Sequence, residues 1–526
     1  MKRCMIVQAA LAVSLALFSC SRTESRNVDG SPSVNPLRVA LPGSIATLDL
    51  GQEGGILNYY VTAITQESLV AISNEGKIIP ALAESWEDEN AMVWRFFLRS
   101  DAKFQDGSPV TPEDIIYSFN RARDPLLSPS TSFYFPEESI ESIEKTGERL
   151  ITITLTEPRA GFLWALAGGL FVTSRQFIES AEVPGSPGDL VLGSGPYKAV
   201  EFVPGSHALF ERVDTWWGPL PEIEAVRFDF IEDDQTRFLA FQQGAVDLAL
   251  NVPVDQAARW EQVNGAELEF ILDRSYQGLT FDPNVEPFDD PHVRKAFASA
   301  IDKDRIVAGI FKGHAQTATA IPSPQQFTTV MDEAAAQDML AGVFHYEYSI
   351  EKAKAELAQS KVPDGFTTTI SYPSAYQNLG RASLAIAENL KAIGVTVEAR
   401  EIPLELWVNE VGNGAQGVAW MIYVPTTGEP GEITHWLLDA RGSGFNPANW
   451  FHPETARLTA EARSAETLEA QADLVVRANN IAQEEAVYVP IYWGETAVAF
   501  SKGLRLKEGA YTSFTLLSVW PLLFEW

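Results

Sequence analysis

The stretch 80–119 constrains the fold more than any other part of this chain, because it specifies two strands, a turn and a helix start in succession. Apolar residues in 80–86 and 94–99 predict a strand pair, and the Gly-Ser-Pro sequence at 107–109 predicts the turn that follows. Thr111 then caps a helix whose first residue is a proline. These features predict a scaffold and, by themselves, no ligand.

Helices and strands alternate in the C-terminal half. The predicted elements are a helix at 350–357, a strand at 367–372, a helix at 381–393, a strand at 395–400, a helix at 404–411 and a strand at 418–424. Upstream, we predict strands at 37–41, 150–155 and 226–231 and helices at 58–70, 115–122 and 235–244. The apolar run 487–500 is short and contains Glu495, so it predicts a buried strand pair. This alternation favours mixed sheets covered by helices, with ligands at strand ends.

Composition excludes several classes of function. The chain has 39 Lys+Arg against 70 Asp+Glu, a net charge of -31, and such a surface repels nucleic acid and anionic lipid. Its 526 residues, 46% of them hydrophobic, are enough for two or three domains. The 2 Cys are Cys4 and Cys20, near the N-terminus, so the body of the chain has no thiol for a disulfide, a metal site or a nucleophile.

Catalytic and metal motifs are weak. The glycine run 412–417 has dinucleotide spacing, but a predicted helix precedes it and a strand follows, which reverses the order that a nucleotide site needs. The 6 His show no metal-binding spacing, and Ser194 lacks the five-residue nucleophile pattern. The sequence therefore implies no enzyme activity, no cofactor and no metal.

The N-terminus resembles a bacterial secretion signal. Lys2 and Arg3 precede an apolar run at 5–18 that is too short for a permanent membrane span. Residues 17–20 then look like a lipobox, in which Cys20 is acylated and becomes the first residue of the mature chain. An ordinary cleaved signal peptide is the alternative.

Four stretches resemble one protein family. They are 80–119, 193–198, 235–249 and 287–322, and they are similar to the extracytoplasmic solute-binding proteins of family 5, the peptide/nickel/opine class that serves ABC importers. The resemblance implies an α/β fold of the type II periplasmic binding protein kind, with two mixed-sheet lobes joined by a hinge and an extra small domain in the first lobe. The implied parts are a signal peptide at 1–19, the lipidated cysteine and a flexible tether at 20–36, the first lobe at 37–82, 193–277 and 505–526, the small domain at 83–192, and the second lobe at 278–504.

The resemblance also implies ligand contacts. Aligning 418–419 and 429–430 places Tyr423 where peptide binders have a tryptophan, and Thr426 where they have the aspartate that grips the ligand's α-ammonium. Thr426 carries no charge, so either Glu429 replaces that aspartate or the ligand lacks a free amine. The other candidates are Trp407, Trp420, Asn446, Trp450 and Ser44 as ligand contacts and Gly193, Gly195 and Pro196 as hinge residues. For each aromatic residue, packing in the core is the alternative.

The implied function is that of a monomeric substrate-binding lipoprotein on the periplasmic side of the cell envelope. It captures oligopeptides between its lobes and delivers them to an ABC permease with its ATPase subunits; its only membrane contact is the lipid anchor, and it binds no nucleic acid. An oligosaccharide cargo is the second hypothesis, favoured by Thr426 and the 13 Trp. A secreted hydrolase is the third, without a catalytic constellation, and an adhesin or chaperone role on the same fold is also open.

Overall fold

A computed structural model describes residues 35–374, 376–412, 417–439, 446–513 and 520–526 of the chain. In these residues the strands are β1 Leu37–Leu41, β2 Val70–Ile72, β3 Ile78–Pro80, β4 Ala83–Glu89, β5 Val93–Leu98, β6 Ile140–Gly147, β7 Leu150–Leu155, β8 Tyr197–Val203, β9 His207–Arg212, β10 Ala225–Phe230, β11 Leu248–Ala249, β12 Glu267–Phe281, β13 Ala315–Thr317, β14 Thr367–Pro373, β15 Thr396–Ile402, β16 Val418–Tyr423, β17 Tyr488–Phe500, β18 Arg505–Leu506 and β19 Phe524–Glu525. The α-helices are α1 Ile56–Thr62, α2 Pro112–Ala122, α3 Phe162–Gly169, α4 Arg175–Ser180, α5 Asp234–Gln242, α6 Ala257–Glu261, α7 Pro291–Ala300, α8 Lys303–Phe311, α9 Glu333–Ala341, α10 Ile350–Leu357, α11 Gln377–Lys391, α12 Leu404–Gly412, α13 Glu432–Leu438, α14 Pro453–Arg463 and α15 Leu468–Glu484.

A large mixed sheet passes through both lobes. In the described residues it has 11 strands, in the order β15-β14-β16-β12-β17-β11-β1-β10-β9-β8, with β13 also paired to β17. By the predicted boundaries, β11, β1, β10, β9 and β8 fall in the first lobe, and β13 to β16 fall in the second. The long strands β12 and β17 pair with each other along nearly their whole length. They form the ribbon by which the chain passes between the lobes.

The ribbon is irregular at its centre. The pairing of β12 with β17 changes register between Leu272 and Tyr276. Such a shift leaves residues outside the regular ladder and bends the strand. It therefore releases the residues 273–275 from regular pairing at the junction of the lobes.

A second, separate sheet forms the centre of the small domain. It is antiparallel, in the order β4-β5-β7-β6. Buried Phe96 and Ile153 on this sheet pack in one core with Phe119 of α2 and Phe162 of α3. The predicted cap of α2 is confirmed, because Asp114 N donates to Thr111 Oγ1 (3.3 Å) and Thr111 N donates to Asp114 Oδ2 (3.0 Å). The boundaries given above for the small domain and the two lobes stay predictions.

Two predicted elements are wrong. The predicted helix at 58–70 ends at Thr62, because the backbone just beyond it pairs with a distant segment: Gly195 N donates to Thr65 O (3.0 Å) and Tyr197 N to Ile64 O (3.0 Å). The run 487–500 contains one strand, β17, rather than a strand pair, because β12 pairs with it on both sides of the change of register.

Candidate functional site at the junction of the lobes

Buried polar residues from both lobes meet where the ribbon is irregular. Asp273 lies near the hydroxyl groups of Tyr60, Tyr376, Tyr492 and Tyr511. Burial is the main cause that raises the pKa of all four tyrosines, and the charge of Asp273 adds to it. We call these residues, with Arg274, the junction cluster.

The charges of the junction cluster are compensated inside the protein. Burial raises the pKa of Asp273 to about 6 and lowers the pKa of Arg274 to about 10. Burial also raises the pKa of Glu432, which lies near Arg274 and is 7% exposed. Arg274 Nη2 donates to Pro425 O (3.3 Å). The buried Glu432 and the partly buried Asp273 therefore both lie near one buried guanidinium, and removing one of the three charges leaves the others less compensated.

Glu432 fixes the loop that follows β16. Its carboxylate accepts hydrogen bonds from Thr426 N (2.6 Å), Thr427 N (2.7 Å) and Tyr423 Oη (3.2 Å). Thr427 Oγ1 donates to the same carboxylate (2.5 Å). Because protein donors already engage both oxygens, this carboxylate is poorly available to a ligand's ammonium.

The predicted ligand contacts Tyr423 and Thr426 lie together, beside Glu432, whereas Glu429 faces elsewhere. Glu429 Oε1 accepts from Gln471 Nε2 (2.8 Å) and the Glu429 carboxyl lies against Gly161 at the start of α3. The loop thus places Glu429 against Gly161 and the Thr426 side chain beside Tyr134, both in the predicted small domain. Whether either residue contacts the ligand stays a prediction.

Two of the candidate tryptophans lie in the core. Trp420 is 0% exposed and its Nε1 donates to Ser383 Oγ (2.8 Å) on α11. Trp407 is 7% exposed and packs in a hydrophobic cluster with Ile402 and Val411. Both indoles therefore pack in the core, which is the alternative interpretation given above for each aromatic candidate.

The remaining candidate ligand residues take no part in the contacts described for the junction cluster. Asn446 closes its own loop, with Nδ2 donating to Trp450 O (3.0 Å) and Oδ1 accepting from Trp450 N (3.2 Å). Trp450 is partly buried and stacks on His452 with ring centroids 5.7 Å apart. Ser44 is exposed in the loop after β1. Their ligand roles stay predictions.

The candidate hinge residues lie within the first lobe. A Cβ on Gly193 would lie 2.0 Å from Thr65 O, and one on Gly195 would lie 2.7 Å from Ile64 O. These glycines, followed by Pro196, allow two backbone segments to approach closely. The strands that pass between the lobes are β12 and β17, so a hinge role for the glycines stays a prediction.

Sequence reasoning missed Asp273, Arg274, Tyr376 and Glu432. The first two are adjacent charges inside a strand that is otherwise largely apolar, and that contrast was a readable signal. The other two gave no signal of their own, because only the three-dimensional packing brings them to the junction.

A large cavity lies between the small domain and the second lobe, and we call it the side cavity. It has a volume of about 1020 Å³ and is partly open to solvent. Residues 133–139 and 155–159 form one wall, and residues of α13, α14 and α15 form the other. Tyr134 and Glu432 line the side cavity, and the hydroxyl of Tyr134 lies close to the Thr426 side chain. The side cavity and the loop after β16 are therefore neighbours.

Neither metal chemistry nor membrane insertion has support in the described residues. Within the ranges that the structure describes, no three His, Cys, Asp or Glu side chains are arranged to hold a metal ion. None of the helices described here is both long and apolar enough to span a bilayer.

A family model for the bacterial extracellular solute-binding proteins, family 5, matches residues 77–445. The chain belongs to this family. Membership confirms the predicted recognition and the prediction that the protein is a solute-binding protein and not an enzyme. Its members act outside the cytoplasm, in the periplasm or extracellularly.

Relatives cover nearly the whole of this family-5 protein. The dipeptide-binding protein DppE of Bacillus subtilis is 24% identical over 516 residues, 92% of each chain. The dipeptide-binding protein of Escherichia coli is 24% identical over 436 residues, 78% of this chain and 80% of that one.

Solved structures confirm the predicted two-lobed α/β fold. DppA from Helicobacter pylori, in complex with the peptide STSA, has a TM-score of 0.76 at 21% identity and covers 93% of this chain and 97% of its own. AgaA from A. tumefacien R10, in complex with agropinic acid, has a TM-score of 0.76 at 25% identity, covering 93% and 98%.

Proposed function

We propose that this family-5 protein captures oligopeptides between its two lobes and delivers them to the permease of an ABC importer. Support comes from relatives named as dipeptide-binding proteins over most of the chain. The complex of DppA with a peptide supports the same cargo class. AgaA, which has a similar fold, binds agropinic acid, so the cargo of this protein has to be tested directly.

The observation that carries the proposal is the junction cluster, because it takes side chains from both lobes. Tyr60 comes from α1 in the first lobe, and Tyr376 precedes α11 in the second. Tyr376 exposes 38% of its surface, so its side chain is open to a ligand, and the nearby charge of Asp273 contributes to its raised pKa. Tyrosine hydroxyls both donate and accept, as the alternating N–H and C=O groups of a peptide require.

An oligosaccharide cargo has less support. That hypothesis relied on tryptophans available for stacking on sugar rings, but Trp407 and Trp420 are buried in the core. Thr426 remains compatible with either cargo, because one hydroxyl can bond an amide or a sugar.

Titration of the purified protein with the tripeptide Ala-Ala-Ala tests the proposal, with cellotriose as the oligosaccharide control. Ala-Ala-Ala at a hundredfold excess over Kd is expected to add about 2.7 kcal/mol to the free energy of unfolding, and closure is expected to reduce the radius of gyration. Binding of cellotriose without any binding of peptides would reverse the cargo assignment. Native mass spectrometry of the protein as purified identifies any retained cargo.

We also propose that Cys20 carries the lipid anchor, which holds the protein at the periplasmic side of the membrane. The support is the position of Cys20 directly after the apolar run 5–18. Labelled fatty acid is expected to enter the wild-type protein and not the Cys20→Ser variant. Equal labelling of the two proteins would disprove the anchor and leave the cargo assignment untouched.

A further inference from the structure

We infer that the ligand extends past its amino end into the side cavity, and that this protein prefers peptides whose amino group carries a bulky aromatic acyl substituent. The inference rests on the proposed peptide-binding function and adds the chemical class of the peptide's amino end. It follows from the loop after β16, the position of the side cavity and the groups that line it.

The loop offers little to a free ammonium. Thr426 is uncharged, and the Glu432 carboxylate accepts hydrogen bonds from three backbone or side-chain donors of residues 426–427 as well as from Tyr423. Glu429 is directed towards Gly161 and Gln471. A buried ammonium at Thr426 would therefore lose its hydration without gaining a carboxylate partner. An acylated amine carries no charge and avoids this loss.

The side cavity begins beside Thr426, where the alignment with peptide binders places the ligand's amino end. Tyr134 lines the side cavity and its hydroxyl lies close to Thr426, so a substituent on the amine has to pass only this one ring. The volume of about 1020 Å³ is at the upper end of what small-molecule pockets usually have. The side cavity is therefore large enough for a benzyl-sized group, which reaches it when the buried Tyr134 ring is displaced.

The lining favours an aromatic, uncharged group. Phe133 and Trp436 both line the side cavity and pack edge to face against each other with ring centroids 4.9 Å apart, and Phe133 is 40% exposed. Leu155 and Val475 add aliphatic surface. Aromatic rings pack well in such edge-to-face surroundings.

Most charges in the side cavity are paired within the protein. Arg457 bonds Glu454 and Glu461 on its own helix, α14. Arg463 Nη1 bonds Asp439 Oδ2 (2.8 Å). These groups are not free to select a charged ligand.

Arg159 is a polar group of the side cavity that has donors to spare. Its Nη1 donates to Tyr134 O (2.7 Å), and in the described residues Nε and Nη2 have no acceptor. Burial lowers the pKa of Arg159, and Glu429, Arg463 and Glu157 are the nearby charges. A carbonyl oxygen on the acyl group can accept the unused donors, which fits an acyl or carbamate linkage better than an alkylated amine.

Calorimetric titration with three tripeptides tests the inference. The probes are Ala-Ala-Ala, its N-acetyl form and its N-benzyloxycarbonyl form, with the N-succinyl form as an anionic comparison. We expect the benzyloxycarbonyl peptide to bind about tenfold or more tightly than the acetyl peptide. Binding of Ala-Ala-Ala with no gain from the benzyl group would overturn the inference alone, and tightest binding of the succinyl peptide would overturn its aromatic class. If none of the peptides binds, the proposed peptide cargo fails and the inference fails with it.

Two variants locate the substituent. Ala460→Trp fills the side cavity from an exposed position on α14 and is expected to abolish the gain from the benzyl group while binding of Ala-Ala-Ala is unchanged. Arg159→Gln is expected to weaken both acylated peptides severalfold, with Arg175→Gln, on the outer surface of the same domain, as the matched control. If Ala460→Trp keeps the preference for the benzyl group, the substituent does not lie in the side cavity. This conclusion holds for any result with Arg159→Gln.

Discussion

The junction cluster and the side cavity lie on opposite sides of one loop, and they differ in how their polar groups are satisfied. At the junction, Arg274 and Glu432 are buried, Asp273 is partly buried, and the charges of the three lie close together inside the protein. In the side cavity, aromatic surface and the donors of Arg159 remain open. Changes at the junction should therefore cost stability, whereas changes in the side cavity should alter ligand preference at little cost.

The largest expected effect is at Glu432. Glu432→Gln removes the charge that attracts Arg274 and replaces one of the two oxygens that accept from loop amides by an NH2 donor, so we expect a loss of about 3 kcal/mol in the free energy of unfolding, measured with urea. Glu138→Gln, on the exposed rim of the side cavity, is the control and should change stability by less than about 0.5 kcal/mol. Equal losses in the free energy of unfolding for the two variants would show that the junction cluster and the side cavity do not differ in their contribution to stability.

Asp273 should make the free energy of unfolding depend on pH. Its folded pKa, about 6, lies above the ordinary 3.8, so the folded chain holds a proton that the unfolded chain has lost in that interval. Stability contributed by this group is therefore present at low pH and lost as pH rises through about 6. In Asp273→Asn, the fall in unfolding free energy between pH 4 and pH 7 should shrink by about 2 kcal/mol.

Glu67 supplies the matched control for that measurement. Burial raises the pKa of Glu67 to about 7, so this group adds a fall in the free energy of unfolding that continues up to about pH 7. Glu67→Gln should remove that part of the fall. The neighbours of Asp273 that carry or can carry charge are Arg274, Glu495 and the tyrosines of the junction cluster, and none of the tyrosines titrates below pH 7. Identical pH profiles for Asp273→Asn and the wild type would show that Asp273 is not buried as described.

Gly161 tests the contact between the small domain and the second lobe. A Cβ there would lie 2.2 Å from the Glu429 carboxyl carbon, so Gly161→Ala must displace Glu429 from its bond with Gln471. We expect a loss of about 1 kcal/mol, read from the urea midpoint. Gly188→Ala, whose Cβ would meet nothing nearer than 3.9 Å, should be neutral; equal losses would show that the contact at Gly161 is not the cause.

The smallest expected effect is that of the ion pair between Arg381 on α11 and Asp255 in the first lobe. Its side chains are 47% and 16% exposed, so Arg381→Ala should cost about 0.5 kcal/mol or less. Weaker closure should raise the Kd for Ala-Ala-Ala at most about twofold, and the difference should vanish in 1 M salt. Lys391→Ala, which breaks an ion pair within α11, is the control. A salt-independent effect of Arg381→Ala would contradict the ionic explanation.

Local sequence signals predicted the elements that local forces determine. The helix at 350–357 matches α10, and the cap at Thr111 is present because its donors and acceptors lie within three residues. The end of α1 was not predictable in this way, since it depends on pairing of residues 64–65 with residues 195–197.

The site was harder to predict because strand geometry and register decide it. Trp420 and Tyr423 are three positions apart on β16 and so lie on opposite faces of the strand, one towards α11 and the other towards Glu432. Asp273 and Arg274 reach the junction only because β12 changes register against β17, a strand more than two hundred residues later. Neither a motif nor a periodicity carries that information.

The central position of β17 also affects when the chain can fold. This strand lies between β12 and β11, yet its residues, Tyr488–Phe500, follow β12 by more than two hundred positions in the sequence. Before they are synthesised, the two halves of the sheet have no strand to join them, and Trp520, which packs in the core with β1 and β10, is also missing. Pairings of such long sequence separation form slowly. The large sheet therefore cannot be completed during synthesis until the ribosome has passed residue 500.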